Sequence, residues 1–70
     1  MIDDVVEREI ETVDAATRAF LEMAAFYNAA CAASDAGDED EAERCAALGE
    51  DAERRAMALK REALRLKTMA

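Results

Sequence analysis

The sequence has no proline and no histidine, only two glycines, two cysteines and three aromatic residues among its 70 positions. The absence of proline removes the commonest helix breaker. The absence of histidine, with only two isolated cysteines, argues against a zinc site, and we predict neither a metal nor a cofactor. We predict that the chain is not an enzyme, because it also lacks a glycine-rich phosphate loop and a plausible activated nucleophile.

Alanine accounts for 18 residues, and hydrophobic residues together make up 53% of the chain. This composition favours helices with a thin core. A chain of this length buries only about 60% of its unfolded surface, so we expect self-association to supply further stability. The N-terminus carries acids where a signal peptide carries bases, and no apolar run reaches the roughly 20 residues that span a bilayer. We therefore predict a cytoplasmic protein with no membrane partner.

The only convincing break lies between Ser34 and Glu41. Gly37 can adopt the left-handed conformation that ends a helix, and Asp38 is a favourable first cap for the next one. Glu41, three residues later, completes a capping-box pattern. The sequence predicts one all-α domain over residues 1–70, with a helix over 3–36, a turn over 36–38 and an antiparallel helix over 39–68.

The first helix carries two adjacent apolar stripes at spacings of three and four residues. One comprises Val6, Ile10, Val13, Phe20, Ala24, Tyr27 and Cys31, and the other Ile2, Val5, Ala16, Ala19, Met23, Phe26, Ala30 and Ala33. A single partner helix cannot cover both stripes. We therefore expect a homo-oligomer, most simply a dimer forming a four-helix bundle, or another protein partner. The expected interface residues are Val13, Ala16, Phe20, Met23, Phe26, Tyr27 and Ala30.

The second helix carries one stripe, consisting of Ala42, Cys45, Gly49, Ala52, Ala56, Leu59, Ala63 and Leu66. In a hairpin that turns at Gly37, residues whose numbers sum to about 75 lie level. This register places large side chains of the first helix opposite small residues of the second. Gly49 either allows close approach by Phe26 or splits the helix, and the unbroken phase of the stripe favours a continuous helix. The same register sets acidic residues 1–14 beside basic residues 54–70.

Cys31 and Cys45 are also nearly level in this register. Packed helix axes lie about 8–10 Å apart, whereas a disulfide requires Cα atoms within about 7 Å. Both cysteines occupy apolar stripe positions, so we predict two buried free thiols.

Residues 35–53 contain nine acids and one base, and their net charge equals that of the whole chain, −8. These acids can simply cap the second helix and keep the hairpin solvated. Alternatively, an acidic tip can bind the basic groove of a partner, as an inhibitor that mimics nucleic acid. The residues of this tip are Asp35, Asp38, Glu39, Asp40 and Glu41. We expect no direct nucleic-acid binding, because acids 1–14 partly neutralise the basic end, and we expect no small-molecule substrate.

Residues 25–42 resemble the first helix, turn and second-helix start of a tetratricopeptide repeat. The matching residues are Phe26-Tyr27-Asn28, Gly37-Asp38 and Glu41-Ala42. The resemblance implies a tight inter-helix turn and a role in protein–protein contacts. No second repeat follows, and the family's closing proline is absent. The leading interpretation is a non-enzymatic interaction or structural module, with the acidic inhibitor and a small subunit of a larger hetero-assembly as alternatives.

Overall fold

Two long helices form an antiparallel hairpin in the computed structural model, which describes residues 4–69. Helix α1 spans Asp4–Asp35 and helix α2 spans Glu39–Met69, and no strand occurs within the described residues. The hairpin is elongated, with Cα extents of 55 × 15 × 11 Å, so it is only two helices wide and one helix thick. The predicted helix start at residue 3 and the stripe residue Ile2 lie outside the described residues.

The turn between the helices is a Schellman motif centred on Gly37. Gly37 has a φ of 82°, the left-handed conformation that residues with a Cβ atom adopt only at a cost. Its N–H donates to the Ser34 carbonyl at 3.0 Å, and the Asp38 N–H donates to the Ala33 carbonyl at 2.9 Å. These bonds satisfy carbonyls that the end of α1 would otherwise leave without partners. The chain therefore reverses within three residues.

Asp38 caps the start of α2, as the sequence predicts. Its Oδ1 accepts the Glu41 N–H at 3.1 Å. The second half of the predicted capping box does not form, because the Asp38 N–H is already bonded to Ala33 in the Schellman motif. The Glu41 carboxylate instead accepts hydrogen bonds from the Arg44 guanidinium and the Cys45 thiol.

The core of the hairpin is built mainly from small residues. Ala52 and Ala56 in α2 are completely buried, and Leu66 is the only large side chain among residues 4–69 with almost no exposure. The buried residues of α2 are Ala42, Cys45, Gly49, Ala52, Ala56, Ala63 and Leu66, all members of its predicted stripe, whereas those of α1 are only Ala16 and Ala19. Because small residues let helix axes approach closely, the helices pack tightly but bury little apolar area per residue.

Helix α2 continues without interruption through Gly49. The aromatic ring that lies over this glycine belongs to Tyr27, not to Phe26 as the register predicts. A Cβ atom at position 49 would lie 2.7 Å from Tyr27 Cε1 and 2.8 Å from Cδ1, well inside van der Waals contact. The prediction was wrong by one residue because α1 is rotated so that Tyr27 lies against the glycine. The absence of a side chain at Gly49 thus leaves the space that the Tyr27 ring occupies.

Candidate interaction surface

A strip of α1 beside half-buried Phe20 and Tyr27 carries exposed apolar residues. Its largest members are Leu21, Ile10 and Val13, with 65%, 57% and 46% of their surfaces exposed. Spacings of three and four residues place them on one side of the helix. We call this surface the outer face of α1 and define it as Val6, Ile10, Val13, Thr17, Leu21, Ala24 and Cys31, all of which are exposed.

The outer face of α1 contains no charged side chain, and its single hydroxyl is satisfied within the helix. Thr17 Oγ1 donates to the Val13 carbonyl at 3.0 Å. This bond allows Thr17 to be covered by another chain without losing its hydrogen-bond partner. Exposed Asn28, seven residues after Leu21, lies on the same side of the helix, and its amide would need a hydrogen-bond partner if it were covered. From Val6 to Ala24, about five turns, the face can be desolvated without burying an unpaired polar side chain.

The structure divides the predicted interface residues among three positions. Val13 lies on the outer face of α1, and Ala16 is buried in the core of the hairpin. The remaining members are half-buried: Phe20, Met23, Phe26, Tyr27 and Ala30. Exposed Ile10 and Leu21 were not among the predicted interface residues. Ile10 belongs to a predicted stripe, and Leu21 lies within 20° of it around an ideal helix, so their spacing was the signal that could have identified them.

The two cysteines have different environments, and neither forms a disulfide. Cys45 is buried, as predicted, whereas Cys31 is exposed, so the prediction of a second buried thiol was wrong. Buried Ala16 and Ala19 mark the side of α1 that packs on α2, and Cys31 lies about 90° away from that side around the helix. Burial, together with the hydrogen bond to Glu41, raises the pKa of the Cys45 thiol.

Tyr27 joins the two helices at the edge of the hairpin core. Its hydroxyl donates to Glu53 Oε2 at 3.3 Å while its ring lies over Gly49. Burial of the ring, followed by the neighbouring Glu53 carboxylate, raises the pKa of Tyr27. The residue therefore has a structural role within the hairpin, in addition to the exposed surface that it presents beside the outer face of α1.

Ion pairs contribute little to the contact between the helices. Within residues 4–69, the only interhelical ion pair links Arg55 to Glu22 at 3.3 Å, and both side chains are half exposed. The other pairs lie within α2, where Arg44, Arg54, Arg55 and Arg65 bind acids one turn away. No ion pair in this part of the chain joins the acids of residues 4–14 to the bases of residues 60–67. The predicted charge match at the open end therefore acts only at longer range.

A shallow groove of about 620 Å³ lies on one flank of the hairpin. Its lining consists of Ala15, Arg18, Ala19, Glu22, Arg55, Ala58 and Leu59. Two of these residues, Arg55 and Glu22, form the interhelical ion pair. The groove contains no buried titratable or nucleophilic group.

The acidic tip uses several of its carboxylates locally. Asp38 caps α2, Glu39 accepts a 3.5 Å hydrogen bond from Ser34, and Glu41 is paired with Arg44, which lowers the pKa of Glu41. Asp35 and Asp40 are exposed and make no hydrogen bond or ion pair with residues 4–69. All five predicted tip residues are thus brought together at one end, where they serve mainly as helix-end groups.

A search of residues 4–69 finds no cluster of side chains suited to hold a metal ion. Neither described helix is long and apolar enough to cross a membrane. No protein-family model matches the sequence, and no curated protein or solved structure matches it significantly. Functional inference therefore depends on the chemistry and shape of the hairpin surfaces.

Proposed function

We propose that this chain is a non-enzymatic protein–protein interaction module that self-associates through the outer face of α1. The simplest product is a dimer whose four helices form a bundle. The observation that carries the proposal is the exposure of Ile10, Val13 and Leu21 along a surface without charges. In a dimer, half-buried Phe20 and Tyr27 would extend this surface towards α2.

The surface area of the hairpin supports the same proposal. The isolated chain exposes 5088 Å², whereas a compact monomer of 7.6 kDa is expected to expose about 4,300 Å². The excess of about 800 Å² equals what one partner contributes to an interface of standard size. A second copy laid along the hairpin would therefore bring the exposed area per chain close to that of a compact protein.

The test is solution mass by light scattering and sedimentation over a wide concentration range. We expect the wild-type chain to have twice the 7.6 kDa chain mass, with a melting temperature that rises with concentration. Replacing two residues of the outer face, Ile10→Lys with Leu21→Lys, should produce the monomer mass. A matched control, Ala25→Lys with Ala29→Lys, adds the same charge to exposed positions of α1 outside its outer face and should leave the mass unchanged.

A wild-type chain that is a folded monomer, with a melting temperature independent of concentration, would contradict this proposal. It would leave the competing proposal, in which Asp35, Asp40 and the rest of the acidic tip bind a basic partner. Equal dissociation by the two lysine pairs would also contradict it, because the effect would then come from added charge rather than from the outer face of α1.

A further inference from the structure

Charge is distributed very unevenly along α2. Residues 39–53 contain seven acids and one base, a net charge of −6, whereas residues 54–69 contain six bases and one acid, a net charge of +5. The two halves of this helix are therefore complementary to each other, but a straight helix cannot fold onto itself. Complementary halves of one helix meet only when two copies of that helix lie antiparallel.

The hairpin leaves much of the basic half of α2 without direct partners. Lys60, Arg61 and Lys67 are exposed and make no ion pair with residues 4–69. The acids of α1 nearest to them in the register, including Glu7 and Glu11, likewise make none. The basic half is therefore available to acids of another chain.

Size is also distributed unevenly along the outer face of α1. Val6, Ile10 and Val13 lie in the N-terminal half and Leu21 lies close to the centre of the helix, whereas Ala24 and Cys31 lie in the C-terminal half. In an antiparallel pair of α1 helices, the larger side chains of each copy lie opposite the smaller ones of the other, an arrangement that fills space evenly. A parallel pair sets large residues beside large residues and leaves the small ones apart.

From these two asymmetries we infer that a second copy docks antiparallel, with α1 against the partner's α1, α2 against the partner's α2, and each acidic tip beside the partner's open end. The inference rests on the proposed self-association and specifies its geometry. In the alternative orientation both tips lie at one end, which brings residues 35–53 of the two copies together, each with a net charge of −8. Packed helices lie about 8–10 Å apart, close to the Debye length at physiological salt, so neither the attraction nor the repulsion is fully screened.

The lengths of the helices allow full overlap of the two copies. Helix α1 has 32 residues and α2 has 31. At a rise of 1.5 Å per residue both are about 47 Å long, so an antiparallel pair leaves no overhanging apolar end. The acidic first half of each α2 would then lie along the basic second half of the other.

Distances between two spin labels, measured by pulsed electron–electron double resonance on the full chain, distinguish the two orientations. The background carries Cys31→Ser and Cys45→Ala, and its solution mass is first compared with that of the wild type. A nitroxide label is attached either through Asp40→Cys at the tip or through Met69→Cys at the open end; both positions are exposed. The first sample contains only tip-labelled chains, and the second is an equal mixture of tip-labelled and end-labelled chains.

The antiparallel dimer predicts a tip-to-tip distance of about 45 Å, from 14 residues of helix on each side of the centre. It also predicts a new short distance, below about 25 Å, that appears only in the mixed sample. A short tip-to-tip distance would overturn the inferred orientation while leaving self-association intact. A monomer mass with no dipolar signal in either sample would overturn both the orientation and the proposed function.

Discussion

The two helices differ in a way that their compositions do not suggest: α1 has the larger apolar surface, yet α2 is the more buried. Helix α2 buries seven residues, whereas α1 buries only Ala16 and Ala19. The reason is how far the apolar residues extend around each helix. Seven residues of the narrow main stripe of α2 are covered by α1, although Leu48, Met57, Leu64 and Met69 of α2 remain exposed. The apolar residues of α1 extend around the helix to its outer face. An apolar residue is buried only if another element reaches it.

This difference explains why the isolated hairpin exposes more surface than a compact protein of its mass. Its core consists mainly of alanines, a glycine and a cysteine, each of which contributes little apolar area. The larger apolar residues of α1, such as Ile10 and Leu21, contribute nothing to that core. Small scaffolds of this kind usually need an additional source of stability. Self-association through α1 would supply it.

The largest effect on stability is expected where the two helices differ most in burial. Ala56 in α2 has no exposed surface, whereas Ala29 in α1 is exposed. Ala56→Leu should destabilise the hairpin by about 1–3 kcal/mol, because the helices would have to separate to admit the larger side chain. Ala29→Leu should change stability by less than about 0.5 kcal/mol. Urea unfolding followed by circular dichroism measures both, and equal losses would show that α1 and α2 are equally packed.

A smaller effect on stability is expected at Gly49, and its sign should depend on whether the Tyr27 ring is present. Alanine is favoured over glycine within a helix by about 1 kcal/mol, but its Cβ atom would collide with the Tyr27 ring. Gly49→Ala should therefore destabilise the wild-type chain and stabilise a chain that already carries Tyr27→Ala. A double-mutant cycle based on thermal or urea unfolding gives the coupling. If Gly49→Ala has the same effect in both backgrounds, Tyr27 does not lie against Gly49.

The mildest test compares the two thiols without altering the sequence. Exposed Cys31 in α1 should react with a thiol reagent at least about tenfold faster than buried Cys45 in α2 at pH 8. Burial and the Glu41 carboxylate raise the pKa of Cys45, so its reaction should continue to accelerate as the pH rises above the usual thiol range. Mass spectrometry of digested protein assigns each modification. Dilute protein is used, so that Cys31 is not covered by a partner, and equal rates would contradict the difference in exposure between Cys31 and Cys45.

Sequence patterns predicted the hairpin itself because its determinants are local. Gly37 and Asp38 act through the backbone of their own turn, and both form the bonds that their residue types favour. The buried residues of α2 were also predictable, since that helix has one stripe. The resemblance to tetratricopeptide repeats stays a prediction.

The predictions that failed concern contacts between the helices. Cys31 was assigned to the core and is exposed, and Phe26 was assigned to Gly49 where Tyr27 lies. Each depends on the orientation of α1 about its own axis, which the spacing of its residues leaves undetermined. The side of α1 that faces α2 includes members of both stripes, Ala16 and Ala19 from one and Tyr27 from the other. The missing half of the capping box has a different cause, because the Asp38 N–H has two possible partners and the turn supplies the nearer one.

By itself, the sequence determined that the chain forms two helices, where they reverse, and which side of α2 is buried, because each depends on neighbouring residues or on a single periodic stripe. Tertiary structure alone decided which residues of the two stripes of α1 face α2. That choice depends on how the volumes of both helices fit together, and here the small residues of α2 receive Ala16, Ala19 and the ring of Tyr27. The same fit leaves Ile10, Val13 and Leu21 on the outside, where a second chain can reach them.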